Sequence, residues 1–198
     1  MIVKVCGLTE RTDLAALAGL PIDWGGFIFV RSSPRYVGRK PLSLPTGVDR
    51  IGVFRDEPAH SVLEIARAWD LRGVQLHGRE TPAEARRLRQ AGLRVIKAIG
   101  VGDDGAGFAR ARAFSAEDVD YLLFDSPGGG TGRAFDWGRL VDYRGGLPFL
   151  LAGGIGPQSR GQIDDIDHAG FAGVDLNSRF EQAPGTKNLD LLRSFLLP

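Results

Sequence analysis

Apolar residues in this chain come in short runs, and between the runs they recur at helical spacing. Ile2-Val3-Lys4-Val5-Cys6, Gly26-Phe27-Ile28-Phe29-Val30, Arg50-Ile51-Gly52-Val53-Phe54 and Gly73-Val74-Gln75-Leu76-His77 each read as a β-strand. So do residues 94–99, 119–124, 148–152 and 173–176. The spacing predicts a helix over 10–20 with Leu14, Leu17 and Ala18 on one face. A second is predicted over 58–69, with Val62, Ile65, Ala66 and Trp69 in step. Thr81-Pro82-Ala83-Glu84 opens another with an N-cap, a first-turn proline and a capping-box acid. Shorter helical patterns follow at 106–114, 135–143, 157–167 and 189–197. Between Val30 and Arg50, Pro34, Pro41 and Pro45 leave little room for a helix, so the second helix is expected to be shortened or missing.

Eight strands, nearly all followed by a helix, predict an α/β single domain over residues 1–198, its parallel sheet closed into a (β/α)8 TIM barrel. The rival is a doubly wound open sheet, which wants a glycine-rich turn after its first strand. Here that turn reads Cys6-Gly7-Leu8-Thr9, and the glycine pair comes only after the seventh strand. The barrel is the better reading.

Lys plus Arg number 25 and Asp plus Glu 24, a net charge of +1, which leaves no electrostatic footprint for nucleic acid or an acidic membrane. No apolar run reaches the length of a membrane span, and Met1-Ile2-Val3-Lys4 enters a strand without a signal-peptide pattern. One cysteine excludes an internal disulfide and any multi-cysteine metal site. The expectation is a cytoplasmic protein with no structural metal, acting on a small molecule.

Barrel sites lie at the carboxyl ends of the strands, and side chains alternate along each strand. Lys4 and Cys6 therefore share a side, as do Gln75 and His77, Tyr121, Leu123 and Asp125, and Asp175 and Asn177. Four strand ends thus bring five polar or reactive groups to one rim: Cys6, His77, Asp125, and Asp175 with Asn177. Asp125 ends the sixth strand and is followed by Ser126-Pro127-Gly128-Gly129-Gly130-Thr131-Gly132, a glycine-rich loop suited to a lid. Lys4, two residues below Cys6, is a cation that would favour the thiolate if close enough. Gly153-Gly154 after the seventh strand lets backbone N–H groups approach an anion at a helix start, with Asn177-Ser178-Arg179 alongside. Arg35, on the loop Ser32-Ser33-Pro34-Arg35-Tyr36, could clamp a carboxylate. No His-Glu-x-x-His pattern supports metal catalysis.

Taken together, Lys4-Val5-Cys6-Gly7-Leu8-Thr9, Ser33-Pro34-Arg35-Tyr36, Val53-Phe54, Val74-Gln75-Leu76-His77-Gly78, Ile96-Lys97-Ala98-Ile99, Phe124-Asp125, Gly129-Gly130-Thr131-Gly132, Phe135-Asp136-Trp137, Leu151-Ala152-Gly153-Gly154-Ile155, Val174-Asp175, Glu181 and Pro184-Gly185 follow one another as in a known family. The chain resembles phosphoribosylanthranilate isomerase, from residue 2 to about 197. The resemblance implies an aldose–ketose (Amadori) rearrangement of a phosphosugar in tryptophan biosynthesis, with no cofactor, by a monomer or homodimer. It implies Asp125 as general acid, its pKa raised by the closed site, and Cys6 as general base. It further implies Arg35 on the anthranilate carboxylate, with Asp175 and His77 among the substrate contacts. Phosphate would lie on Gly153, Gly154, Asn177 and Ser178, under a lid containing Gly129, Gly130, Thr131 and Gly132. The eighth loop departs from the family's Asp-Val-Ser-Ser-Gly-Val-Glu, reading Asp175-Leu176-Asn177-Ser178-Arg179-Phe180-Glu181. Arg179 is read as an extra phosphate partner. Rival readings are another phosphate-barrel enzyme, such as a lyase or dual-substrate isomerase, and a non-catalytic phosphosugar-binding barrel. Dual-substrate isomerases usually carry Asp where this chain has Cys6.

Overall fold

A computed structural model describes residues 1–38, 40–102, 104–128 and 135–197. Eight parallel strands close on themselves: β1 (Ile2–Cys6), β2 (Trp24–Ile28), β3 (Asp49–Phe54), β4 (Gly73–Leu76), β5 (Arg94–Gly100), β6 (Tyr121–Asp125), β7 (Phe149–Leu151) and β8 (Phe171–Leu176). The ring shuts where β1 pairs with β8, Lys4 beside Asp175, while Cys6 sits beside Gly26 on β2. Outside the ring lie α1 (Ala59–Trp69), α2 (Pro82–Gln90), α3 (Ala106–Ala111), α4 (Arg160–Asp164) and α5 (Leu189–Leu196). A hairpin of β9 (Glu181–Ala183) and β10 (Thr186–Lys187) follows the ring. No helix among the described residues is long and apolar enough to cross a membrane.

Alternation along the strands sorts the buried side chains into shells. Trp24, Ile51, Ile96, Ala98, Leu123, Leu150 and Ala152 fill the barrel interior, and Cys6, Ile28 and Val53 form a smaller cluster toward the open rim. Their strand neighbours Val5, Phe27, Phe54, Val74, Leu122, Phe124 and Leu151 point outward into the main core. There α1 buries Val62, Ala66 and Trp69, whose ring lies 5.2 Å from Phe27. The capping box at Thr81 and Glu84 is formed as the sequence spells it.

Two stretches differ from a full helix. No helix forms among the described residues between β2 and β3; Leu44 packs there instead, where a Cβ on outward-facing Gly25 would come within 2.5 Å of its Cδ1. The helix expected over 10–20 shrinks to one 3-10 turn, Ala15–Leu17. Thr9 and Thr12 both donate to the Gly185 carbonyl, at 2.6 and 3.0 Å, which ties this segment to the β9–β10 turn.

Candidate active site

Cys6, Arg35, His77, Asp125, Gly153, Gly154, Asp175, Asn177 and Ser178 line one cavity of about 330 Å³ at the carboxyl rim. All of these are among the residues expected from the sequence. Arg179 lines a neighbouring depression instead, sharing Gly154 with the main cavity, and its stem passes Gly156. The expectation for Gly129, Gly130, Thr131 and Gly132 falls outside the described residues, though Gly128 reaches the lining.

Asp125 ends β6 facing inward, 6% exposed. Its Oδ1 accepts the Ser126 backbone N–H at 2.7 Å, and its Oδ2 lies 3.5 Å from His77 Nε2. Burial lifts its pKa to about 6, with Asp175 adding to the rise and the Ser126 N–H and Lys4 opposing it. His77 is held down to about 4 by burial and by the cations Arg55, Lys4 and Lys97, so the ring is neutral near pH 7. Gln75 Nε2, 3.4 Å from His77 Nδ1, donates there and leaves the ring proton on Nε2, facing Asp125.

Cys6 ends β1 with its thiol 3% exposed. A Cβ at Gly26 would lie 2.8 Å from the sulfur and 3.0 Å from Lys4 Nζ, so glycine there makes room for both groups. Lys4 does pull the thiol pKa down, as the sequence suggested it could, but burial is the larger effect and the thiol rises above its ordinary 9.0. Lys4 is wholly buried and donates to Asp175 Oδ2 at 2.9 Å. Burial alone would favour its neutral form, yet Asp175 and Cys6 keep the ammonium. Burial also pushes Asp175 upward, against Lys4 and Lys187. These two directions conflict over one proton; the close, hydrogen-bonded contact decides for ammonium and carboxylate.

Two buried acceptors on the lining, Asp175 Oδ1 and Gln75 Oε1, have no hydrogen-bond partner among the described residues. Such atoms are costly unless a donor fills the space beside them. Gly153 and Gly154 adopt φ of +74° and +69°, and a Cβ on Gly153 would come within 2.7 Å of Asp125 Oδ1. The helical segment beyond them is short, a 3-10 turn Pro157–Ser159 running into α4, so backbone N–H groups outweigh any helix dipole here.

The arrangement around Arg35 was not foreseen. Its Nε and Nη2 are both taken by Glu181, at 3.0 and 2.7 Å. Buried Lys187 donates to the same carboxylate and to Asn177 Oδ1, each at 2.8 Å. Both partners come from the β9–β10 hairpin, whose strands are too short to leave a periodic signal. Arg55, one residue past β3, also lines the cavity. Extending the inward parity of Ile51 and Val53 by one step would have found it.

A family model described as N-(5'phosphoribosyl)anthranilate (PRA) isomerase matches residues 3–197. An N-(5'-phosphoribosyl)anthranilate isomerase of Phocaeicola vulgatus is 42% identical, over 99% of this chain and 96% of its own. One of Rubrobacter xylanophilus is 40% identical, with 98% and 96% covered. Among solved structures, phosphoribosyl anthranilate isomerase from Thermotoga maritima superposes with a TM-score of 0.85 at 32% identity, covering 98% of this chain and 97% of that one. A phosphoribosyl anthranilate isomerase in complex with reduced 1-(o-carboxyphenylamino)-1-deoxyribulose 5-phosphate gives 0.83 at 31%, with 99% and 97% covered.

Proposed function

The chain belongs to the N-(5'-phosphoribosyl)anthranilate isomerase family, and from that premise we propose which of its residues carry the reaction. The reaction is the Amadori rearrangement of N-(5'-phosphoribosyl)anthranilate to 1-(o-carboxyphenylamino)-1-deoxyribulose 5-phosphate in tryptophan biosynthesis. Asp125 gives its proton to the ribose ring oxygen. The C1'–O bond breaks as the anthranilate nitrogen's lone pair forms the C1'=N bond. The Cys6 thiolate then takes the proton from C2'; that electron pair makes C1'=C2', and the iminium pair returns to nitrogen. The resulting enolamine passes its enol proton to C1' and becomes the ketose. Cys6 gains one proton for the one Asp125 loses, so turnover leaves thiol and carboxylate, and solvent exchange resets them.

The observation that carries this reading is that an inward thiol on β1 and an inward carboxyl on β6 share one cavity. Phosphate is assigned to the N–H groups of Gly153 and Gly154, with Asn177 and Ser178 beside them and Arg179 one step behind. Asp175 Oδ1 and Gln75 Oε1 are the acceptors for sugar hydroxyls. The Nη1 edge of Arg35 that Glu181 leaves over faces the anthranilate carboxylate, and the lid role of residues 129–132 belongs to the same proposal. For assembly, the proposal is a monomer or homodimer; a dimeric relative from Thermotoga maritima is known.

The test is loss of phosphoribosylanthranilate fluorescence with purified protein. Cys6→Ser and Asp125→Asn should each lower kcat at least about a hundredfold, the scale of a general acid or base. Wild-type-like turnover in either variant removes that residue from the mechanism.

A further inference from the structure

Arg55 is a cation at the cavity wall that the reading above leaves without a task. The side chain is exposed and makes no ion pair among the described residues. The other cations near the reacting groups are already engaged: Lys4 by Asp175, Lys187 by Glu181 and Asn177, and the Nε–Nη2 edge of Arg35 by Glu181. Arg55 is close enough to help depress the His77 pKa, so its charge is felt inside the site.

Ring geometry says what this charge could meet. In a closed ring of eight strands in sequential order, β3 lies across from β7 and β4 across from β8. A phosphate held at β7 and β8, with the sugar spanning Cys6 and Asp125, sends the aromatic end toward β3 and β4. That end carries an ortho carboxylate. The Arg35 stem passes the eighth loop, where a Cβ on Gly7 would meet both Arg35 Cδ and Asn177 Oδ1, each at 2.7 Å.

We propose that Arg55 is a specificity-determining residue that receives the substrate's aryl carboxylate, bracketing it with the remaining edge of Arg35. This rests on the substrate layout proposed above. An arginine offers a carboxylate two parallel N–H donors, whereas a neutral aryl group gains nothing comparable from it. Arg55 thereby distinguishes the anthranilate adduct from other N-aryl ribosyl phosphates.

The test compares two inhibitors, reduced 1-(o-carboxyphenylamino)-1-deoxyribulose 5-phosphate and its counterpart lacking the carboxylate. Inhibition constants are measured for wild type, Arg55→Met and Arg55→Lys. Arg55→Met should weaken the carboxylated compound roughly 10- to 100-fold, the range of a charged hydrogen-bonded contact, and the other by less than about threefold. Arg55→Lys should recover part of the loss, as a point charge without the fork. If both compounds weaken equally, Arg55 is on the phosphate, and the layout falls together with the inference. If neither weakens, the inference alone falls.

Discussion

Burial lifts Asp125 to about 6 and the Cys6 thiol beyond 9.0, so near neutrality the carboxyl has lost its proton while the thiol keeps its own. The mechanism proposed above needs the reverse, a protonated Asp125 beside a thiolate. Both forms carry the same number of protons, so the productive one is a fixed minor share of the singly protonated pair. Its population rises as pH climbs through about 6, stays level, and falls above 9. The predicted profile of kcat/KM is a bell with those limbs, although the acid limb belongs to the residue that must be protonated. Asp125→Asn should remove the limb near 6 from what activity remains. A limb that persists in Asp125→Asn would belong to the substrate phosphate, whose second ionisation falls near 6, and would contradict this assignment. The strand parity that pointed to Cys6 and Asp125 was readable in the sequence; the protonation order was not, because burial comes from the whole ring around them.

At the level of elements, what could be read depended on where the instructions lie. The start of α2 is written locally, in Thr81-Pro82-Ala83-Glu84, and formed as read. The first helix was overcalled because its competitor lies 173 and 176 residues away, the Gly185 carbonyl that captures Thr12 and Thr9. That same carbonyl belongs to the β9–β10 hairpin, which periodicity could not show and which holds Arg35 in place. Glu181 accepts from Arg35 and Lys187 together, and both attractions hold its carboxyl below the ordinary range despite burial. Glu181→Gln should therefore misplace Arg35 and strand a buried ammonium. The expected loss in catalysis falls mainly on KM, by roughly tenfold for one charged contact. Stability should drop by about 3 kcal/mol, as for a broken buried pair, and adding Lys187→Met should return part of it. Unchanged KM together with unchanged denaturation midpoint in Glu181→Gln would show that the hairpin does not position Arg35.

Across the whole molecule, the barrel interior divides into an apolar layer, which secures the fold, and an ionisable layer above it, which opposes it. Trp24, Ile51, Ile96, Leu123 and Leu150 require no charge balance. Asp125 does, and its effect on stability has a definite sign. The folded pKa of about 6 exceeds the ordinary 3.8, so the folded state binds this proton more tightly than the unfolded chain. The advantage is complete below 3.8 and is lost as pH rises through about 6. Above that, ionised Asp125 costs the fold up to about 3 kcal/mol relative to acid conditions, from the gap between the two values. Asparagine has no such ionisation, and its Oδ1 can still accept the Ser126 N–H. Asp125→Asn should thus raise stability at pH 8 by up to about 3 kcal/mol, or about 7 °C in Tm for a chain of this length. At pH 4 most of that gain should vanish. His77 does not disturb the comparison: its pKa of about 4 leaves it neutral at pH 8, and at pH 4 it faces an uncharged group in either protein, protonated Asp125 or the asparagine. Thermal denaturation of the two proteins at both pH values decides the matter: an equal difference at pH 4 and pH 8 would mean that the ionisation of Asp125 is not what the fold opposes.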